Sequence, residues 1–315
     1  MTYQLFTYAD DSGAARTGIA VAGDLFALQD VPGGEPVSGK SVMELLEQWD
    51  RSHVLLKALA RRLGESMRQA QHLRLNAAEL TFLAPVLTPG AIYGAGANYR
   101  DHVEAMGRAF NMKLVLDPRA EGIPPWHFLK AGKGTLAAHR QTVPFPPHTD
   151  RLDWEAELAV VIGRTASKVT VEEALGYVAG YTCSNDLSAR DNLRRDKVDD
   201  SSPFKFDWIG HKCFTGACPL GPFLTPSEFV GSPENLDIKL WVNDDIKQDS
   251  NTRNHLYGVA EQISYLSHRL DLYPGDIILT GTPAGVGMET GTFLKRGDVI
   301  RVWIEKLGEL ETTVA

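Results

Sequence analysis

Every second residue is aliphatic over residues 236–242, where Leu236, Ile238, Leu240 and Val242 share one side. A period of two is typical of a strand with one buried face. Residues 158–162 are apolar without interruption, which also indicates a strand. Short apolar runs bounded by glycine and proline predict further strands at residues 91–94, 179–183, 277–280 and 299–304. The chain beyond about residue 90 is therefore predicted to be rich in strands.

Helical spacing of apolar residues occurs in two stretches. The first stretch carries Leu55, Leu56, Leu59 and Leu63, and the second carries Leu256, Val259, Ile263, Leu266 and Leu270. Capping boxes at residues 41–44 and 170–173 predict two more helix starts. We interpret the apolar stripes as core faces and infer no cofactor from them.

The first 80 residues differ from the rest in their order of elements. Residues 18–28 predict a hairpin that turns at Gly23-Asp24, and helices follow it. Pro85 and the Thr-Pro-Gly at residues 88–90 mark a plausible boundary. The predicted organisation is a small α+β domain over residues 1–80 and a larger, β-rich domain over residues 81–315, which makes the whole chain an α+β protein.

Composition limits the classes of partner and the compartment. The formal net charge of −8 argues against nucleic acid or an anionic membrane surface as a partner. The chain's three cysteines lack the spacing of a disulfide framework or a zinc site. The N-terminus lacks the features of a secretory signal, and no apolar run reaches the length of a membrane span. A cytoplasmic location is the resulting prediction.

Two glutamates, Glu155 and Glu157, are the most informative residues of the sequence. They precede the apolar run at residues 158–162, so their segment should be extended, and side chains two apart on a strand share a face. Two carboxylates on one inward face would be costly without a cation. A hard divalent ion with oxygen ligands would make that arrangement tolerable. The alternative is a solvated strand end with two surface acids.

A third acid, Asp186, follows the strand predicted at residues 179–183. If it lies beside Glu155 and Glu157, the three carboxylates would suit Mg²⁺ or Mn²⁺, or more loosely Ca²⁺. The alternative reading of Asp186 is a helix N-cap. Spacing alone leaves both readings open.

Positive charges and a glycine-rich segment complete the candidate chemistry. Lys130, Arg190 and Lys212 are each typical of a surface charge, but together around a metal they would hold a substrate carboxylate or enolate. The segment 281–287 (Gly-Thr-Pro-Ala-Gly-Val-Gly) follows an apolar strand and can present backbone N–H groups to an oxyanion, with the Thr282 hydroxyl beside them. It lacks the ending of a phosphate-binding P-loop.

Several motifs in this order resemble the fumarylacetoacetate hydrolase family. They are residues 98–102 (Asn-Tyr-Arg-Asp-His), 128–130 (Phe-Leu-Lys), 153–158 (Asp-Trp-Glu-Ala-Glu-Leu), 185–191 (Asn-Asp-Leu-Ser-Ala-Arg-Asp), 212–214 (Lys-Cys-Phe), 219–222 (Pro-Leu-Gly-Pro), 242–243 (Val-Asn), Gln248 with Asn251-Thr252, and 274–287. The resemblance covers about residues 82–315. The first 80 residues are similar to the variable N-terminal extension of some members.

The resemblance implies a fold, an assembly and a site. The fold is a mixed β-roll, usually in homodimers, and the site holds one divalent ion on Glu155, Glu157 and Asp186. The substrate is a small 2-oxo acid, and the residues assigned by resemblance to bind it are Arg190, Lys212, Gln248 and Thr282. Catalysis falls by the same resemblance to His102, Glu104 and Lys130.

One departure from the family pattern concerns His102. Many members pair this histidine with a glutamate three residues later on a mobile lid, but Ala105 occupies that position here and the acid is Glu104. A shift of one residue turns a helical side chain by about 100°. Either Glu104 acts in a changed register, or His102 acts without it, or the water-activating step is lost. The segment 104–125 reads as a lid or as a surface loop.

These considerations predict a metal-dependent hydrolase that cleaves a C–C bond of a 2,4-dioxo acid, such as an acylpyruvate, in the catabolism of aromatic compounds or sugars. The alternatives are an isomerase, decarboxylase or hydratase that acts on a 2-oxo-alkenoate, and a metabolite-binding protein without turnover.

Overall fold

The computed structural model describes residues 1–315 and contains nineteen strands and nine α-helices. The strands are β1 (Gln4–Ala9), β2 (Ala15–Val21), β3 (Asp24–Ala27), β4 (Arg74–Leu75), β5 (Thr81–Leu83), β6 (Ile92–Ala95), β7 (His127–Lys130), β8 (Leu136–Ala137), β9 (Gln141–Val143), β10 (Leu152–Asp153), β11 (Ala156–Ile162), β12 (Val178–Asn185), β13 (Ser188–Ala189), β14 (Cys218–Pro226), β15 (Asp237–Val242), β16 (Asp245–Asn251), β17 (Ile277–Leu279), β18 (Val299–Ile304) and β19 (Gly308–Val314). The helices are α1 (Val42–Leu46), α2 (Trp49–Glu65), α3 (Arg100–Phe110), α4 (Gly132–Thr135), α5 (Val171–Ala174), α6 (Trp208–Lys212), α7 (Ser227–Val230), α8 (Val259–Ser267) and α9 (Gly287–Thr290).

Most strands belong to two sheets. The larger sheet has the order β4-β3-β2-β1-β14-β12-β11-β17-β6-β7, with β5 paired to β1 and β8 paired to β14. The smaller sheet has the order β16-β15-β18-β19-β9. The strand-rich α+β class predicted from the sequence is confirmed. All six strands predicted from apolar runs are present to within two residues at each end.

Strand β11 occupies the centre of the larger sheet and separates two hydrophobic cores. Leu158 and Val160 lie in the core that also contains Ile238 of the smaller sheet. Their neighbours Ala159 and Val161 lie in the other core. Successive side chains of a strand point to opposite faces, so a strand buried on both faces must be apolar at every position. This explains the uninterrupted apolar run.

The N-terminal segment is built into the larger sheet. Strand β1 pairs antiparallel with β14, so strands β2 to β4 extend the sheet that contains β11. The second core joins Leu56 and Leu59 of α2 with Ala159, Val161 and Ile277 of the central strands. The boundary near residue 80 stays a prediction, and the two sides of it share one sheet and one core.

Local signals in the N-terminal segment produced the expected structures. The hairpin β2–β3 turns at Ala22-Gly23, one residue earlier than predicted, and both residues have positive φ (52° and 88°), as a two-residue type I′ turn requires. The capping box of Ser41 and Glu44 is formed in full. Helix α2 buries Leu56, Leu59 and Leu63.

Two helix predictions need correction. The box at residues 170–173 is incomplete, because the side chain of Thr170 caps no backbone N–H. Helix α8 ends at Ser267, so Leu270 lies beyond it and is 44% exposed instead of facing the core. The chain makes a turn at residues 268–270, where His268 and Arg269 donate to the carbonyls of the last helical turn.

The segment predicted as a lid or a loop begins as a helix. Residues 104–110 complete α3, which ends at Asn111 in the left-handed conformation (φ 50°). The following residues 111–126 have no regular structure. The Arg119 guanidinium donates to both Glu261 oxygens of α8 at 2.7 and 2.5 Å and lies 4.9 Å from the Tyr257 ring centroid. We call the Arg119–Glu261–Tyr257 contact the latch.

No helix in the structure has the length and the apolar content that crossing a membrane would require.

Candidate metal centre and active-site cavity

Three carboxylates converge at one end of the central strands. Strands β11 and β12 are antiparallel neighbours with Ala156 opposite Asn185, so the residue after β12 lies beside the start of β11. The backbone N–H of Asp186 donates to the carbonyl of Glu155 at 2.8 Å. One oxygen each from Glu155, Glu157 and Asp186 lies within 4.8 Å of the other two. All three residues are at most 5% exposed, which excludes the solvated strand end.

Two lysines reach the carboxylates from outside β11 and β12. Lys212, at the end of α6, donates to Glu155 at 2.7 Å, to Asp186 at 2.6 Å and to the Ser188 hydroxyl at 2.7 Å. Lys130, at the end of β7, donates to Asp186 at 2.5 Å. Both lysines are buried, so neither is the surface charge that its residue type alone suggests.

Arg190 ties the centre to the glycine-rich segment. Its guanidinium donates to Asp153 at 2.8 Å and to Glu155 at 2.5 Å. Asp153 also accepts the backbone N–H groups of Gly287 and Met288 at 2.6 and 3.0 Å. Arg190 therefore links the carboxylate centre to the start of α9 through one buried acid.

Glu157 is the carboxylate without a cationic partner. The Gly281 N–H donates to it at 2.6 Å, and burial, followed by the nearby charges of Asp186 and Glu155, raises its pKa well above the usual range. Burial acts on Glu155 in the same direction, but the charges of Arg190 and Lys212 outweigh it and hold the pKa of Glu155 well below the usual range. Glu157 thus forms no ion pair with a lysine or arginine, and an all-oxygen donor set of this kind fits a hard divalent ion.

A cavity of about 230 Å³ opens onto the centre. Glu155, Glu157, Arg190, Lys212, His102 and Thr282 line its polar end, and Ala95, Gly96, Ala97, Trp126, Phe128, Leu193, Trp208 and His211 line the remainder. The cavity is therefore charged where the carboxylates lie and mainly apolar elsewhere.

Gln248 has an internal role in this structure. Its carbonyl accepts the Ala156 N–H at 2.9 Å, and its amide donates to Thr282 Oγ1 at 2.9 Å and to the Pro283 carbonyl at 2.8 Å. It is 1% exposed and does not line the cavity. Its assignment to substrate binding stays a prediction that this geometry does not favour, because Gln248 instead holds Thr282 in place.

His102, on α3, has a carboxylate partner from the distant helix α9. Its Nδ1 lies 2.9 Å from Glu289 Oε1, and the other Glu289 oxygen accepts the Gly285 N–H at 2.8 Å. The side chains of His102 and Glu289 are 11% and 10% exposed. The pair therefore lies in a partly desolvated position at the edge of the cavity.

Residues 91–315 match the family described as fumarylacetoacetate (FAA) hydrolase, C-terminal. This range covers more than half of the chain and contains every residue of the centre described above. The chain belongs to the fumarylacetoacetate hydrolase family.

Named relatives in this family differ in their activities. The chain is 36% identical over 283 residues to the mitochondrial oxaloacetate tautomerase FAHD2A of Bos taurus, covering 89% of this chain and 81% of that protein. The fumarylacetoacetate hydrolase of Exiguobacterium antarcticum has a similar structure (TM-score 0.73, 30% identity, 99% of both chains). So does a maleylpyruvate hydrolase from Sphingobium sp. SYK-6, solved with manganese(II) and pyruvate (TM-score 0.68, 27% identity, 98% of both chains).

Glu104 does not take the place of the family's lid glutamate in this structure. It lies half-buried on α3, two positions after His102, and residues two apart on an α-helix do not face each other. His102 instead turns its Nδ1 to Glu289, which is 187 residues away in the chain. The catalytic role of Glu104 stays a prediction.

Glu289 and His211 belong to the site but were not predicted from the sequence. Glu289 carried only a weak signal, as an acid two residues after the glycine-rich segment 281–287 in a chain that lacks the usual partner of its histidine. His211 lies next to the predicted Lys212, and its Nδ1 is 2.9 Å from the Ala189 carbonyl. Burial, followed by the charges of Lys212 and Arg190, lowers the pKa of His211 to about 3, so this ring is neutral at pH 7.

Proposed function

We propose that this protein is a divalent-metal-dependent hydrolase that cleaves a C–C bond of a 2,4-dioxo acid, such as an acylpyruvate, in the catabolism of aromatic compounds or sugars. The observation that carries the proposal is the meeting of two groups at one cavity. The carboxylates of Glu155, Glu157 and Asp186 form one, and the His102–Glu289 pair forms the other.

The three carboxylates would hold the ion, with Mg²⁺, Mn²⁺ or Ca²⁺ as candidates of suitable chemistry. When bound, such an ion supplies a Lewis acid for the oxygens of a chelating 2-oxo acid. The manganese and pyruvate in the related maleylpyruvate hydrolase structure support this part of the proposal.

Arg190 and Thr282 are the residues best placed to bind the substrate. Lys212 has three N–H groups, and its contacts with Glu155, Asp186 and Ser188 use all of them. Arg190 lines the cavity and has five N–H groups, more than its contacts with carboxylates require. Thr282 Oγ1 accepts from Gln248, so its hydroxyl proton is free to donate to a substrate oxygen.

His102 would act as the general base. A neutral His102 that donates Nδ1–H to Glu289 leaves Nε2 as a proton acceptor. Nε2 takes a proton from the water that attacks the distal carbonyl. The water oxygen bonds to that carbon, the bond to C3 breaks, and its electron pair leaves with the pyruvate fragment, which is then protonated.

Buried lysines and the lid would support this chemistry without touching the reacting atoms. Lys130 donates to Asp186 and does not line the cavity. We therefore propose that Lys130 contributes to catalysis by positioning Asp186. Residues 111–125, held by the latch, would close over the cavity and exclude bulk water.

A second candidate is an isomerase, which includes tautomerisation of a 2-oxo acid. The 36% identity to an oxaloacetate tautomerase favours it. His102 would then move a proton between C3 and the 2-oxo oxygen, with no need for an attacking water. Decarboxylation or hydration of a 2-oxo-alkenoate would use the same binding groups.

Assembly and location are also part of the proposal. A homodimer would cover apolar side chains that the single chain exposes, among them Phe204 (72% exposed), Ile209 (67%) and Leu129 (57%). Light scattering coupled to gel filtration tests this. We also propose a cytoplasmic location. Some relatives are named as mitochondrial, so the alternative location is the mitochondrion.

The deciding experiment is a product analysis on a set of acylpyruvates. Hydrolysis gives pyruvate and a second acid, tautomerisation or isomerisation conserves mass, and decarboxylation releases CO₂. We expect pyruvate and a second acid in equal amounts, loss of turnover in EDTA and recovery with Mg²⁺ or Mn²⁺. A product of unchanged mass would instead indicate an isomerase or tautomerase, and CO₂ release would indicate a decarboxylase. Absence of any turnover would favour a binding protein.

A further inference from the structure

Positive charge is confined to one end of the cavity. Arg190 and Lys212 are the lysine and arginine side chains that line it, and both contact Glu155. His211 is neutral and donates its Nδ1–H to the Ala189 carbonyl. A substrate carboxylate can therefore find a lysine or arginine partner beside the metal centre but none among the other residues that line the cavity.

Beside the charged groups lies an aromatic wall, which we define as Trp126, Phe128 and Trp208. The Phe128 and Trp208 rings stack with centroids 5.8 Å apart and an interplanar angle of 17°. Trp126 lies 4.8 Å from Trp208 and is 47% exposed, so its ring is available to a ligand. Lys212 Nζ is 4.7 Å from the Phe128 ring centroid, which places the charged end and the aromatic wall directly side by side.

The backbone on which Trp126 packs carries no side chain at the point of contact. A Cβ at Gly96 would lie 2.2 Å from the Trp126 ring, so glycine is required for Trp126 to sit there. Ala95 and Ala97, on either side, are also small. The Trp126 ring therefore packs directly on the Gly96 backbone, and its exposed part is what a flat ligand group can contact.

A second cavity of about 220 Å³ continues beyond this point. It shares Trp126 and residues 95–97 with the first cavity, and the lid segment contributes Leu114, Val115 and Ile123. No charged residue lines it. The space next to the wall thus remains apolar under the lid.

We infer that the distal group of the substrate is uncharged and planar, so that the enzyme selects 2-oxo acids with an aryl or conjugated alkenyl end over those that end in a second carboxylate. This inference rests on the proposed function for the chelating end of the substrate. Its physical basis is that an aromatic wall stabilises a flat apolar group, whereas a carboxylate there would lose water without gaining a partner.

A binding measurement tests the inference independently of turnover. Phenylpyruvate and 2-oxoadipate share the chelating end and differ in the distal group, and both can be titrated into the Mn²⁺-loaded protein by calorimetry. An aromatic contact of about 1.4 kcal/mol corresponds to a tenfold change in affinity, so we expect phenylpyruvate to bind about tenfold tighter or better. Equal or tighter binding of 2-oxoadipate, or no binding of phenylpyruvate, would overturn the inference.

Variants of the aromatic wall test whether it causes the preference for phenylpyruvate over 2-oxoadipate. Trp208→Ala and Trp126→Ala should each weaken phenylpyruvate binding and leave 2-oxoadipate binding unchanged, whereas Trp126→Arg should improve binding of 2-oxoadipate. Trp241→Ala is the matched control, because Trp241 lies on β15 outside the cavity. If both wall variants keep the preference for phenylpyruvate, the wall is not its cause and the inference fails.

Kinetics separates this inference from the proposed function. Benzoylpyruvate should be cleaved with a higher kcat/KM than a 2,4-dioxo acid whose acyl group ends in a carboxylate. If no 2,4-dioxo acid is cleaved but phenylpyruvate still binds preferentially, the hydrolase proposal fails and the inference stands. If the dicarboxylate is cleaved with the higher kcat/KM, the inference fails and the hydrolase proposal stands.

Discussion

At the scale of single residues, the charge on Glu157 distinguishes this centre from an ordinary buried ion-pair network. Lys130, Lys212 and Arg190 contact the neighbouring acids, while Glu157 receives only a backbone N–H from Gly281 in this structure. An uncompensated buried carboxylate destabilises the folded state, and a bound cation reverses that effect.

Glu157→Gln should therefore separate stability from metal binding. Without metal, the raised pKa of Glu157 means that its contribution to stability is present at low pH and is lost as the pH rises towards the folded-state pKa. The variant should melt higher than the wild type in EDTA at pH 8, by about 2 °C or more, and the difference should shrink on acidification.

The metal response is the second half of that prediction. Mg²⁺ or Mn²⁺ at about 100 times its Kd should stabilise the wild type by about 2.7 kcal/mol and raise its Tm, but should leave the Glu157→Gln variant unchanged. Asp186→Ala should likewise abolish metal binding by calorimetry. An unaltered Tm increase with metal in Glu157→Gln would remove Glu157 from the ligand set.

Glu289 and Glu104 are the two candidates for the catalytic partner of His102, and variants of each distinguish them. The hydrogen bond to Glu289 predicts that Glu289→Gln lowers kcat by about 10²-fold, as for loss of an oriented general base, with metal affinity unchanged. Glu104→Gln should change kcat less than about twofold, since it lies on another face of α3. The reverse result would show that Glu104 does the work that the sequence suggested.

His102→Ala is the reference for both variants. It should lower kcat at least as much as Glu289→Gln, and the double variant should lose no more than His102→Ala alone, because Glu289 acts through His102. Additive losses would show that Glu289 has a separate role.

The separation of these residues along the chain explains why only part of the site was predictable. Glu155 and Glu157 could be predicted because side chains two positions apart on a strand point to the same face. His102 and Glu289 meet only because α3 and α9 pack together, and no local pattern encodes a contact between residues 187 apart.

At the scale of elements, the lid segment combines one exposed ion pair with the packing of Leu114 and Leu116 on a small apolar cluster. Residues 111–126 form no strand or helix, and the latch joins them to α8 through Arg119 and Glu261, which are 50% and 29% exposed. Such an exposed pair contributes about 0–1 kcal/mol, and salt screens it. Loss of this pair is therefore expected to loosen the lid segment without detaching it.

Arg119→Ala should raise KM for the acylpyruvate about two- to fivefold at low salt and less at high salt, because the contribution of an exposed ion pair is small and is screened. It should also accelerate proteolysis within residues 111–126. Arg108→Ala, exposed at the end of α3, is the control for loss of a surface charge. A KM that does not change at low salt would rule out a role of the latch in substrate retention.

Element prediction succeeded where the signal was local and failed where packing decided. The box of Ser41 and Glu44 needs only four residues, and it is fully formed. The apolar stripe that ran on to Leu270 was wrong at its end, because α8 stops at Ser267 and the chain turns there.

At the scale of the whole molecule, the N-terminal segment and the metal centre share structural support. Strand β1 pairs with β14, and α2 packs on the same core as β11, the strand that carries Glu157. Substitutions that destabilise the N-terminal part of this core should therefore also destabilise the part of the chain that carries the metal centre.

Leu56→Ala should test this coupling. A buried leucine truncated to alanine costs about 2–5 kcal/mol, so we expect a lower Tm with a single transition by calorimetry, and loss of metal binding at the same temperature. Val54→Ala, on the exposed face of α2, is the matched control and should leave Tm nearly unchanged. Two separate transitions, with only the first one shifted, would instead support an independent domain over residues 1–80.

Sequence patterns by themselves determined the strand-rich class, the starts of α1 and α5 and the shared face of Glu155 and Glu157, since each depends on side-chain periodicity or on a short motif. Tertiary structure alone decided which charges meet. It paired the lysines and Arg190 with the acids, gave Glu157 only a backbone N–H partner, and brought Glu289 next to His102. These contacts depend on distances between elements far apart in the chain, which are set by how sheets and helices pack and are not written in the residues on either side.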